Sequence, residues 1–255
     1  MFSDAHTHLI GNPFGENILE PREIQTVLKE ARDQGVVLMV VGSHDLPSSE
    51  RVIEIASSEE NVYVSVGLHP WIATPIDDRA YKSFLELTKR PKVVAIGEIG
   101  VDHNRSRASK DVQLQALIQQ LRLARETGLP ALFHQRGYHE ELMEAIYREK
   151  PPVSAIHGFS GDLAELKEWL DLGYYVIIGR SVLGKEGEKL KAVVQRIPED
   201  KLLLETDGAA RSPKGVLEGQ ARVLQVAEVV ASWRGTTAKE VGETTTKNLK
   251  RMLRI

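Results

Sequence analysis

Imidazoles and carboxylates recur in this chain at one kind of position, the C-terminal end of a short apolar run: His6 and His8, then His69, Glu98, His134, His157, and finally Glu205 and Asp207. Side chains two apart on a strand point to the same face, so His6 and His8 can bind one cation together. An H-x-H pair alone is weak, because polar residues on a half-exposed strand give the same pattern. Recurrence of ligand types at the ends of other runs turns the reading toward a site. Of the 8 histidines, His6, His8, His134 and His157 fall on predicted strand ends.

The chain has no cysteine, so a metal must be held by His, Asp and Glu. Imidazole and carboxylate without thiolate suit zinc, manganese, iron or, with more oxygen ligands, magnesium. His6, His8, Glu98 and Asp207 suffice for one ion, and Glu98, His134 and His157 for a second, with Glu98 bridging through its two oxygens. Two ions about 3.5–4 Å apart clamp the attacking and leaving oxygens of a phosphodiester displacement and acidify a shared water. Each residue also has a plainer reading: Glu98 as an interior ion-pair partner, Asp207 as a helix N-cap, His157 as a hydrogen-bonded core histidine. Glu205, on the same strand face as Asp207, reads as the group that orients a liganding imidazole. His69, before Pro70, either touches substrate or orders its loop. His44, His103 and His139 read as solvated loop histidines. Arg105, Arg107, Arg136, Arg180, Lys185, Arg211 and Lys214 fall in loops after the runs. Solvation is the default for most of them, and Arg136, beside His134, is best placed to bind substrate phosphate.

The runs that must position these residues span 2–9, 36–43, 62–69, 93–100, 129–136, 152–159, 174–181 and 201–208. They recur roughly every thirty residues, the length of a βαβ repeat. Helical patterns lie between them, such as Leu114, Leu117, Ile118 and Leu121, and after the last run Val223, Val226, Ala227 and Val230. Gly35, Gly128 and Gly173 stand where a left-handed residue closes a helix. Eight strand–helix units in 255 residues predict an α/β fold, a (β/α)8 TIM barrel, as a single domain over 1–255. A doubly wound sheet more often stops at five to seven strands. Stretches 11–15 and 209–215 read as loops, and 236–253 as one extra C-terminal helix capped by Thr237. In a barrel the strand C-termini are where active sites form, which is where the ligand types sit.

Composition narrows the function. Lys plus Arg number 33 against 36 Asp plus Glu, a net charge of −3, so no strong positive field exists to hold nucleic acid by counterion release alone, which disfavours tight duplex binding. An aromatic share of 5% offers no stacking platform for single strands beyond scattered Trp71, Trp169 and Trp233. No apolar run approaches the roughly 18 residues of a membrane span and MFSDAHTHL lacks a signal pattern, so a cytoplasmic protein with no membrane partner is expected.

His6-x-His8, GLHP around His69, GEIGVD around Glu98, GLPALFHQR around His134, HGFSG around His157 and LLLETD ending at Asp207 occur in an order that resembles the TatD family of metal-dependent hydrolases, over nearly the whole chain. The resemblance implies an amidohydrolase-type barrel, two divalent metal ions, and in several members deoxyribonuclease activity of 3′ to 5′ exonuclease character. It implies His6, His8, Glu98, His134, His157 and Asp207 as metal ligands. Family members typically carry cysteine where this chain has Gln135 and Gly158, neither an expected ligand. After Asp207 the family's Pro and aromatic are missing from Gly208-Ala209-Ala210-Arg211, which puts nuclease specificity in doubt.

The expected function is therefore a phosphodiesterase or deoxyribonuclease acting on nucleic-acid ends. In it a metal-bridging hydroxide attacks phosphorus, Asp207 takes or orients the water proton, Glu98 bridges, His69 assists and Arg136 binds a phosphate oxygen. The same chemistry serves hydrolysis of an amide, ester or lactone, such as an aminoacyl-tRNA ester. A non-catalytic metal-binding barrel is the third reading, disfavoured because structural sites are usually closed. Zinc, manganese and magnesium all remain candidates, and no obligate protein partner is evident.

Overall fold

A computed structural model describes every residue except 17, 209 and 212–216. Lys214 and the side chain of Arg211 lie outside the described residues.

Eight parallel strands form one sheet in chain order: β1 (Phe2–Thr7), β2 (Val36–Gly42), β3 (Val62–Val66), β4 (Val93–Asp102), β5 (Ala131–Arg136), β6 (Ala155–Ile156), β7 (Tyr175–Ile178) and β8 (Leu202–Leu204). A helix follows each: α1 (Pro21–Asp33), α2 (Leu46–Ser57), α3 (Asp78–Leu87), α4 (Lys110–Thr127), α5 (His139–Glu149), α6 (Leu163–Asp171), α7 (Lys191–Arg196) and α8 (Val223–Arg234). This is the predicted (β/α)8 barrel order. The extra helix α9 (Ala238–Leu253) follows with Thr237 as its N-cap, in a capping box with Glu240. Part of the stretch expected to be loop, 209–215, is instead strand. A short hairpin pairs β9 (Ala210–Arg211) with β10 (Leu217–Glu218), because the two ends of this long connection pair with each other before the chain enters α8.

The chain divides into two compact units, 1–40 with 156–255, and 41–155. In the first unit β8 docks on β1. The Asp207 N–H donates to the His6 carbonyl at 3.1 Å, and the Thr7 and Thr206 hydroxyls lie 3.1 Å apart. Buried Asp4 on β1 accepts from the Thr206 N–H at 2.9 Å and from its hydroxyl at 2.5 Å. Burial, opposed by these hydrogen bonds, pushes the Asp4 carboxyl up to about 8. Val27, Leu28, Trp169, Ile177, Leu203, Val226 and Leu249 fill the core of this unit. Val223, Val226, Ala227 and Val230 all face inward, as their spacing predicts.

In the second unit Val64, Val66, Ile96, Leu117, Leu132 and Phe133 are buried. The face of α4 differs from the expected one. Leu114 and Ile118 are only half-buried, and the buried stripe runs through Gln113, Ala116, Leu117, Gln120 and Leu121. The reason is polar. Gln120 accepts from the Leu68 N–H at 2.6 Å and donates to the Leu68 carbonyl at 3.1 Å, and Gln113 accepts from the Asp102 N–H at 2.7 Å. These amides satisfy backbone groups that leave the β ladder, at no cost in unpaired polar atoms.

Strands end earlier than the apolar runs suggest. Run 152–159 yields only Ala155–Ile156, and run 201–208 only Leu202–Leu204. His8, His69, His157, Glu205 and Asp207 therefore stand just beyond strand ends, where the backbone turns away and side chains are released toward a site.

Candidate metal and catalytic site

In the first unit, His6 Nε2 and His8 Nε2 lie 3.2 Å apart, and both face Asp207 Oδ1, at 3.8 and 3.7 Å. Metal–nitrogen bonds of about 2.0–2.1 Å at tetrahedral angles place ligand atoms roughly 3.3–3.5 Å apart, so this N,N,O set has the spacing of a cation's ligands. His6 is fully buried, whereas the Asp207 side chain is 45% exposed, giving the group an open side. Asp207 sits at φ 56 and Gly208 at φ +93, a turn that sends the Asp207 carboxylate back toward β1. A Cβ on Gly208 would stand 3.1 Å from the His8 Cβ, so glycine is required at that approach.

His157, beyond β6, stacks at a tilt 4.5 Å from the His6 ring. Its Nδ1 faces buried Glu205 Oε1 at 3.4 Å, which leaves Nε2 as the nitrogen for a ligand. Glu205 is expected from the sequence to orient a liganding imidazole, and His157 is the imidazole it faces. A Cβ on Gly179 would lie 2.8 Å from Glu205 Oε1, so that glycine makes room for the carboxylate.

In the second unit Glu98 Oε1 lies 2.6 Å from His134 Nδ1 and 3.3 Å from His69 Nε2, all three residues being buried. His69 caps the 3-10 turn Pro70–Ile72. Its Nδ1 accepts the Trp71 N–H at 3.1 Å, which places the proton of a neutral ring on Nε2, pointing at Glu98. His69 is thereby a hydrogen-bond donor rather than a ligand through Nε2. The other side of His134 meets a residue that sequence reasoning passed over. Its Nε2 lies 2.8 Å from Asp102 Oδ2, which also accepts the Trp71 indole N–H at 2.6 Å. Burial raises the Asp102 carboxyl, but hydrogen bonds from His134, the Arg105 N–H and Trp71 outweigh it and hold the group well below the usual carboxylate range. Asp102 was legible as the last residue of GEIGVD, on the same strand face as Glu98.

His44, set aside as solvated, is a correction. It is buried at 4% exposure, with its ring 5.9 Å from the His69 ring, because the capping box of Asp45 and Ser48 folds the end of β2 inward. His103, an exposed loop residue, bonds Asn104 and stands beside Tyr138. His139 opens α5 and is half-buried. Arg136 donates to the carbonyl of Gln135 at 2.7 Å, at the end of β5. Arg105 lies over the Trp71 ring at 4.9 Å, and Arg180 reaches the Asp207 carbonyl at 3.4 Å. Among the described residues no helix is long and apolar enough to cross a membrane.

Imidazoles and carboxylates gathered at the strand ends of a (β/α)8 sheet define a metal-dependent hydrolase. The family model described as TatD related DNase matches residues 3–254, and the chain belongs to the TatD family of metal-dependent hydrolases. It is 31% identical to the uncharacterised metal-dependent hydrolase YabD of Bacillus subtilis, over the whole of both chains. It is 30% identical to the 3′-5′ ssDNA/RNA exonuclease TatD of Klebsiella pneumoniae, covering 92% of this chain and 93% of that one. The crystal structure of YjjV, a TatD homologue from Escherichia coli, superposes with a TM-score of 0.82 at 28% identity, over 100% of this chain and 98% of the other.

Proposed function

We propose that the protein is a divalent-metal-dependent phosphodiesterase that removes nucleotides from the 3′ ends of single-stranded DNA or RNA. The observation that carries this reading is the His6–His8–Asp207 group, an open cradle with ligand spacing on a family member whose relatives include named exonucleases. In this reading His6, His8, Glu98, His134, His157 and Asp207 hold two divalent ions, zinc, manganese or magnesium.

The bound ions would supply Lewis acidity toward a phosphate oxygen and an acidified water. The chain's own groups do the rest. Asp207, exposed at the rim, takes or orients the proton of the attacking water. Glu98 Oε1 holds His69 and His134 in place. His69 shares its Nε2–H between Glu98 and a bound phosphate oxygen, and Arg136 supplies a cation for the same group.

The test is an assay pair on metal-reconstituted protein: mononucleotide release from the 3′ end of single-stranded DNA, against hydrolysis of aminoacyl-tRNA and simple esters. Release of nucleotides with inert esters is expected. Robust ester hydrolysis without nucleotide release overturns the phosphodiesterase reading in favour of a deacylase. For the ligands, His6→Ala and Glu98→Ala should each lower bound metal and abolish activity; near-normal metal content in both overturns the ligand set.

A further inference from the structure

Asp102 has no part in the reaction outlined above, yet every direction of its carboxylate is occupied. It ends β4 with its side chain 1% exposed. Oδ1 accepts the N–H groups of Asn104 at 2.7 Å and Arg105 at 2.8 Å. Oδ2 accepts the indole N–H of Trp71 at 2.6 Å and faces His134 Nε2 at 2.8 Å. The Asp102 N–H is itself fixed by Gln113 on α4. Three N–H donors to the two oxygens favour the ionised carboxylate, which has no proton to give, so the fourth contact is a donation from His134.

We propose that Asp102 is a positioning residue: it fixes a proton of His134 on Nε2, so that Nδ1, whose contact with Glu98 Oε1 is a 2.6 Å hydrogen bond, is the nitrogen at which a cation takes the place of the shared proton. The inference rests on His134 being a metal ligand. A histidine ligand has one nitrogen for the metal and one for the protein, and a buried carboxylate on the second makes the first a better donor while fixing the ring plane. The same carboxylate carries a second load. By holding the Trp71 indole and the turn at Asn104–Arg105, it sets the ring over which the Arg105 guanidinium lies at 4.9 Å. Removing Asp102 should therefore weaken metal binding and loosen this rim cation together, whereas removing the indole donor alone should affect only the rim.

The first measurement needs neither metal nor activity. Histidine-labelled apoprotein is recorded by long-range 1H–15N correlation on the alkaline side of the histidine range. His134 is expected to carry a proton on Nε2, and absence of one there overturns the proposal. The second is manganese affinity by titration calorimetry. Asp102→Asn should weaken it about 10- to 100-fold, and Trp71→Phe by less than about 3-fold. Unchanged manganese affinity in a folded Asp102→Asn protein shows the aspartate to be a structural staple only and overturns the proposal. A wild type that takes up no manganese while its His134 carries the Nε2 proton overturns instead the proposed metal-dependent function.

Discussion

His69 and His134 both touch Glu98 Oε1, and the hydrogen bonds on their far sides separate their roles. The far nitrogen of His69 accepts a backbone N–H, so its near nitrogen is a donor; the far nitrogen of His134 donates to the Asp102 carboxylate, so its near nitrogen, sharing a proton with Glu98, is the one a cation can take over. His69→Ala is accordingly expected to keep bound metal near the wild-type level while lowering kcat by about 10²-fold, checked by metal analysis beside single-turnover kinetics. The sequence could place these residues at strand ends but could not say which nitrogen of a ring faces which partner. That depends on a backbone N–H at Trp71, set by the 3-10 turn that His69 caps, and on a carboxylate at Asp102, distant in the chain from His134. His44 was missed for a related reason. A histidine after a strand reads as solvated, and its burial follows from the Asp45–Ser48 capping box that starts α2.

At the scale of elements, α4 shows what periodicity cannot report. Its apolar positions Leu114, Leu117, Ile118 and Leu121 suggest one face, but Gln113 and Gln120 are more deeply buried than Leu114 or Ile118. Hydropathy ranks glutamine as a surface residue, whereas here two glutamines pair backbone groups at Leu68 and Asp102 and so hold the segments that carry His69 and Asp102. α4 also ties to the end of α5. Buried Glu149 accepts from Arg122 at 3.2 and 3.3 Å, with Arg125 and Arg148 beside it. Its hydrogen bond to Arg122, opposed by burial and helped by the charges of Arg122 and Arg148, holds this carboxyl below the usual range. A depressed carboxylate stabilises the folded state above the unfolded pKa and loses that contribution as pH falls through the folded one. Glu149→Gln should therefore cost about 1–3 kcal/mol near neutral pH, and the gap from wild type in thermal melts should close at pH values below about 4.

Over the whole molecule, the strand–helix alternation and the eight strands of the parallel sheet were legible, because buried parallel strands are continuous apolar runs and their helices carry a different period. The strand boundaries were not, since an apolar run continues past the last ladder bond where β6 and β8 give way to His157 and Glu205. Stability resides in the cores behind these ends. Trp169, 0% exposed on α6 and 6.2 Å from the Tyr174 ring, is the test in the first unit. Trp169→Ala should lower unfolding free energy by about 3–5 kcal/mol, measured by denaturant titration on the full chain.

The docking of β8 on β1 also bears on how the chain is made. The hydrogen bonds that join Glu98, Asp102 and His134 close between residues 98 and 134, so both partners of each have been made once β5 is complete. His6 and His8 leave the ribosome first, but their partners His157 and Asp207 come much later, and β1 must wait for β8 before its histidines face a carboxylate. Completion of the His6–His8–Asp207 group, and with it the ion binding proposed for it, is thus a late event in the life of each new chain, and a stalled product ending before residue 207 carries the histidine pair without its aspartate.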